Sequence, residues 1–310
     1  MNSQSSAIPE SFDSQTIAPA AMSTTQPFYW SVRRELWESR WIYLAPLAVA
    51  GLVLLAFPIT LIHFPAKMRS LATLDAAHYR EAIATHYDFV AGLMMAMDIL
   101  ITVFYCVDAL YGERRDRSIL FWKSLPVSDR TTVLAKASIP FVVVPLLTTA
   151  IAMATQLIMV LLSSVVLLGS GMSVAPYSAS LEVPRMWWLL FYHIVTAHTL
   201  WPAPVYCWLL LVSAWAPRAP FFWAVVPPFA LAGLERVVFQ TWYFGRLLGA
   251  RFIGDTSAAA VKSGDLFPTN PMTHMTPATF LGSPGLWIGL LLAAAFLAAA
   301  VQLRRRRGPI

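Results

Sequence analysis

Long apolar runs separated by short charged segments dominate the chain. About 20 apolar residues in a helix cross a bilayer core, and six runs approach or exceed that length. They cover Trp41 to His63, Phe89 to Tyr111, Ser138 to Leu168, Met186 to Trp215, Ala219 to Leu234 and Leu286 to Leu303. Pro140 and Pro145 are expected to kink the start of the third, and Pro202 and Pro204 lie inside the fourth. The fifth is the weakest: its residues would rise only about 24 Å against a core of about 30 Å.

The segments between the runs are read by composition. Residues 1–26 are rich in Ser, Thr, Gln, Ala and Pro and contain no Lys or Arg; such a stretch cannot bury a core and reads as a disordered cytoplasmic tail, not a signal peptide. Residues 27–40, PFYWSVRRELWESR, mix aromatic and charged residues. Trp30, Arg33, Arg34 and Trp37 mark that stretch as a helix lying in the membrane interface. The loops 64–88, 169–185 and 235–285 fall on the outer side, and the semi-apolar Val237–Ala250 stretch predicts a short external or re-entrant helix.

Composition agrees with the pattern. Of 310 residues, 58% are hydrophobic and 12% charged, and the mean hydropathy is +0.62. A soluble domain carries about 25% charged residues, so a soluble enzyme, a nucleic-acid binder and a disordered scaffold are all excluded. The net charge of +6 then reads as topology, because Lys and Arg are retained in cytoplasmic loops. Arg304–Arg307 and the flank carrying Arg33, Arg34 and Arg40 place both ends in the cytoplasm, which requires an even number of spans. With six spans, fourteen of the 22 Lys and Arg lie inside. The expected architecture is an all-α integral membrane protein: an interfacial helix, six spans within 27–305, and a basic cytoplasmic tail at 304–310. Cys106 and Cys207 lie within apolar runs and read as packed, reduced thiols.

The segment after the second run carries the most information. A span ends near Gly112, followed by Glu113, Arg114, Arg115, Asp116 and Arg117. Ile119-Leu120-Phe121-Trp122 forms an amphipathic turn, Leu125-Pro126 breaks it, and Ser128 or Asp129 can cap the next helix. An apolar knob within a charged rim suits docking to a soluble partner.

The stretch from Asp108 to Lys136 resembles the corresponding loop of ABC-2 type exporter permeases. It matches their pattern at Asp108, Leu110, Glu113, Arg114, Asp116, Ser118 to Trp122, Ser124 to Pro126, Ser128 and Asp129. The resemblance covers about residues 27–305, although outside the loop it is one of layout alone. It implies a bacterial inner-membrane subunit that dimerises, with itself or a related permease, and couples to separate ATPase subunits. The 113–125 segment would be the coupling helix, with Glu113, Arg114, Arg115, Asp116, Arg117, Phe121 and Trp122 facing the ATPase. The helix at 27–40 would be the connecting helix. ATP and Mg would be bound by the partner, because this chain contains no G-x-x-x-x-G-K-[ST] sequence; no cofactor of its own and no catalytic residue are expected.

Polar residues within the runs are the remaining candidates, because burying them in lipid is costly. Asp98, Thr102, Tyr105 and Asp108 share one stripe of the second run, readable either as a translocation path or as a helix-packing contact. His193 and His198 in the fourth run are five residues apart. An α-helix would hold them about 140° apart, which is poor for one shared metal ion. An intramembrane enzyme acting on lipid or peptide, and a sensor or assembly factor without transport, remain the alternatives.

Overall fold

The computed structural model describes residues 25–73, 75–124, 127–253 and 277–308; the expected 1–26 tail lies almost wholly outside them. Every regular element among the described residues is helical. Helix α1 (Thr25–Glu38) precedes α2 (Trp41–Ile62), whose 22 apolar residues rise about 33 Å. Leu44, Leu47, Leu52, Leu55, Ile59 and Ile62 stay exposed on α2 while Ile42, Ala50, Phe57 and Leu61 pack inward. A helix with a bare apolar face is stable where lipid rather than water surrounds it.

Helix α3 (Phe64–Leu71) leads into α4 (Ala76–Asp108). The expected loop at 64–88 is therefore mostly helical, and the helix that carries the second apolar run begins well before that run. The 33 residues of α4 rise about 50 Å. Its polar first turns are held by their own contacts: Tyr87 Oη bonds Tyr177 Oη, and Tyr79 Oη donates to Met68 Sδ at 3.8 Å. Two short helices follow, α5 (Tyr111–Arg115) and α6 (Ile119–Ser124). They divide the single short helix expected at 113–125, and Arg117 between them has φ of 58°.

Helix α7 (Asp129–Ser138) starts as expected at Ser128, whose Oγ accepts from the Thr131 amide at 3.1 Å. A first π-helical segment, Ile139–Val143, contains Pro140 and passes into α8 (Val144–Gly169). A proline cannot donate a backbone hydrogen bond, and the helix widens at that place. After α9 (Ala175–Leu181), the fourth apolar run forms α10 (Val183–His193), a second π-helical segment (Ile194–Leu200) and α11 (Ala203–Trp215), bent by 49° at Trp201-Pro202.

The weak fifth run becomes α12 (Pro220–Phe239). Its 20 residues rise about 30 Å, enough for a bilayer core. The helix continues through Glu235 and Arg236 because the Glu235 carboxylate is occupied by the next helix, α13 (Tyr243–Ile253). It accepts from Thr241 Oγ1 and from the Tyr243 and Phe244 amides at 2.7–2.8 Å. Helix α13 is the short helix expected near 237–250. The fold closes with α14 (Pro277–Leu281) and α15 (Pro284–Arg306).

Five helices are long and apolar enough to cross a membrane, and the bent α10–α11 unit makes a sixth if counted as one span. The chain is a multi-pass membrane protein. One core cluster joins α2, α3, α4, α8 and α9 around Phe57, Met94, Met159 and Tyr177. A second joins α1, α2, α4, α8 and α11 around Ile42, Ile101, Tyr206 and Leu210. Cys106 and Cys207 are buried free thiols, as expected.

Candidate functional site

The most concentrated chemistry lies where α1, α5, α7 and α15 meet. Helix α1 has two faces. Trp30, Arg33 and Trp37 share the exposed one, with the Arg33 guanidinium 5.1 and 4.9 Å from the two indole centres. Glu35 points the other way and is buried. Lys136 on α7 donates to both Glu35 carboxylate oxygens at 2.9 Å, and Tyr105 Oη on α4 donates to Oε2, also at 2.9 Å. Arg34 bridges Glu35 and Glu113, reaching Glu113 Oε1 at 3.0 Å. Lys136 lies 3.2 Å from the same oxygen. From the last helix, Arg304 pairs with Glu113 and reaches Asp129 at 3.1 Å.

Three cations, Arg34, Lys136 and Arg304, thus face three carboxylates, Glu35, Glu113 and Asp129. Charged groups tolerate such burial where they are paired and hydrogen-bonded, as in this set of zero net charge. Burial works against the Glu35 charge, but the adjacent Lys136 and Arg34 outweigh it and hold the carboxyl below its usual range. A carboxylate engaged by three donors is an anchor, not a proton acceptor.

The same loop is fixed to the end of α11. The last carbonyls of a helix lack internal partners and attract cations. Arg114 Nη1 donates to the Ala214 and Ala216 carbonyls at 2.8 and 3.1 Å, and Arg307 donates to Trp215 at 2.7 Å. Ser213 Oγ accepts from the Leu110 and Tyr111 amides, both at 2.8 Å.

These contacts sort the seven residues expected to face a partner. Glu113 and Arg114 are buried among the chain's own groups. Arg115, Asp116, Arg117 and Phe121 are exposed, Phe121 by 59%. Trp122 is half-buried with Arg34 stacked 3.9 Å above its ring. An exposed tip, with Leu120 beside Phe121, therefore stands on an anchored base, and Arg34 links the two.

The stripe on α4 divides similarly. Asp98, Thr102 and Tyr105 are buried inside this chain's own bundle, whereas Asp108 is exposed. Asp98 Oδ1 lies beside the Thr148 hydroxyl of α8, but among the described residues neither these atoms nor the Thr102 hydroxyl makes a hydrogen bond of good geometry. A cleft of about 710 Å³ opens between α11 and α15, lined by Trp208, Leu211, Trp215 and Leu303, and no stripe residue lines it. Among the interfacial-helix residues, Trp30, Arg33 and Trp37 stay together and Arg34 turns inward. Sequence reasoning missed Glu35, Lys136 and Arg304 as partners. The available signal was Lys136 within the otherwise apolar Val133-Leu134-Ala135-Lys136-Ala137 stretch.

Compared with family models, curated proteins and solved structures, the chain matches none.

Proposed function

We propose that the chain is the transmembrane permease subunit of an ATP-driven ABC-2 type exporter. It dimerises in a bacterial inner membrane and is driven by ATPase subunits on separate polypeptides. The observation carrying this reading is the loop between α4 and α7. Its exposed Leu120-Phe121 tip, rimmed by Arg115, Asp116 and Arg117, rests on a base tied by ion pairs to α1, α7 and α15 and by hydrogen bonds to α11.

A partner pressing on the tip would move four helices together, which is what coupling ATP binding to a change of access requires. Glu35, Glu113 and Arg304 meet in one cluster, so α1, this loop and the end of α15 lie at one end of the bundle. That arrangement supports six spans with both flanks on the ATPase side. The chain supplies differential substrate binding between two states and no bond chemistry.

The test is affinity purification of the tagged chain in mild detergent with mass spectrometry of what co-elutes. A stoichiometric ABC-type ATPase, lost on Phe121→Ala, is expected. A well-folded chain that repeatedly elutes alone would overturn the proposal.

A further inference from the structure

The fourth apolar run holds two histidines that α-helical geometry would separate, and the structure brings them together. The chain between them is π-helical over Ile194–Leu200. Thr199 Oγ1 donates to the Ile194 carbonyl, and the Trp201 amide to the Thr196 carbonyl, both at 2.9 Å. Bonds spanning five residues stack position i over position i+5, and such segments recur at functional sites. The His193 and His198 ring centres are 5.2 Å apart with planes at 61°.

Neither imidazole is otherwise engaged. Both are half-buried, and no hydrogen bond among the described residues uses a ring nitrogen of either. Tyr206 Oη binds His198 only through its backbone carbonyl, at 2.8 Å. A neutral imidazole carries one donor and one acceptor nitrogen, so each ring keeps an acceptor nitrogen that can bind an ion. Two imidazole nitrogens on one tetrahedral ion, each about 2.0–2.1 Å from it, place their ring centres about 5 Å apart. The observed separation agrees with that figure.

The geometry points to a two-histidine site for a borderline d-block dication such as Zn²⁺. Imidazole suits this class of ion. No third His, Cys, Asp or Glu joins the pair among the described residues. Two of the four coordination positions therefore fall to water or to a ligand from outside the chain. A structural zinc site is closed by four protein ligands, so this one is open and exchangeable. It lies beside the 49° bend at Trp201-Pro202, where a bound ion would bridge the π-helical segment from end to end. The inference does not depend on the exporter reading.

The test uses the full chain carrying a tag without histidines, purified in mild detergent, stripped with a chelator and titrated with Zn²⁺. One equivalent should bind. His193→Gln and His198→Gln should each weaken binding by about tenfold or more, since even outer-shell changes cost 10–100-fold. His78→Gln and His86→Gln should leave it unchanged; those side chains contact Asp75 and Lys67 respectively. X-ray absorption of the zinc-loaded wild-type chain provides a readout independent of variant folding, and should show two imidazole nitrogens. Absence of stoichiometric binding, binding undiminished in both variants, or a zinc shell without imidazole would each overturn the inference.

Discussion

Lys136 Nζ stands 2.9 Å from both carboxylate oxygens of Glu35, a residue 101 positions earlier, and both side chains are buried. Removing one member leaves a charge in the interior with its principal partner gone. Glu35→Gln should therefore destabilise the protein by about 3–5 kcal/mol. The double variant Glu35→Leu with Lys136→Met should lose much less than the sum of the two singles, with a coupling of roughly 1–3 kcal/mol. Unfolding in detergent across the four proteins gives that coupling directly. Strict additivity would mean that the pair contributes nothing as a pair.

The same carboxyl sets a pH dependence. In the folded protein burial acts to raise its pKa, but Lys136 and Arg34 hold the carboxyl below its ordinary value of 4.5. A depressed folded pKa contributes stability that is present above the unfolded value and lost as pH falls through the folded one. The thermal midpoint should consequently fall on acidification below about pH 4.5, and the fall should be shallower in Glu35→Gln. Equal slopes in the two proteins would assign the acid sensitivity to other carboxylates.

Phe121 and Ile119 are two residues apart with opposite environments. Phe121 is exposed, whereas Ile119 is 1% exposed. Phe121→Ala should change stability by no more than about 0.5 kcal/mol, while Ile119→Ala should cost about 2–5 kcal/mol. If Phe121→Ala abolishes capture of an ATPase at unchanged stability, the tip acts by contact rather than by folding. A large stability loss in Phe121→Ala would instead make the tip part of the core.

Asp98 is buried beside Thr148, and Oδ1 makes no well-formed hydrogen bond among the described residues. Asp98→Asn removes the demand of a charge at nearly constant shape, so the thermal midpoint should hold or rise, by up to about 1–3 kcal/mol of stability. A clear fall would show that the carboxyl is paired in the folded protein and serves packing. A variant of unchanged or higher stability that no longer transports would favour a functional role.

Much of the fold was legible because lipid imposes a simple rule on composition. The bounds of α2 differ from the expected span by a single residue, since Trp41–Ile62 is apolar throughout. Where polar residues sit on an otherwise continuous helix, the rule failed. Hydropathy ends the fifth span before Glu235, but that carboxylate is consumed capping α13. It starts the second span at Phe89, although Tyr79 and Tyr87 are paired inside the helical bundle. The wide separation expected for His193 and His198 assumed an α-helical period, which the π-helical segment replaces locally, bringing the ring centres to 5.2 Å. The ion cluster was out of reach for another reason. Glu35, Glu113, Lys136 and Arg304 look like ordinary flank charges until α1, α5, α7 and α15 are assembled.

Glu113 and Arg304 are 191 residues apart, and that distance sets a schedule for biosynthesis. At about 5–20 residues per second, Arg304 is translated roughly 10–40 s after Glu113. Throughout that interval the nascent protein holds a carboxylate whose closing guanidinium does not yet exist. Arg34 and Lys136 are already translated or soon follow, so until the final helix arrives Glu113 has two of its three cations. The arrival of α15 is thus the closing step: it adds the third cation to Glu113 and ties the end of the chain to a base that α1 and α7 have already formed.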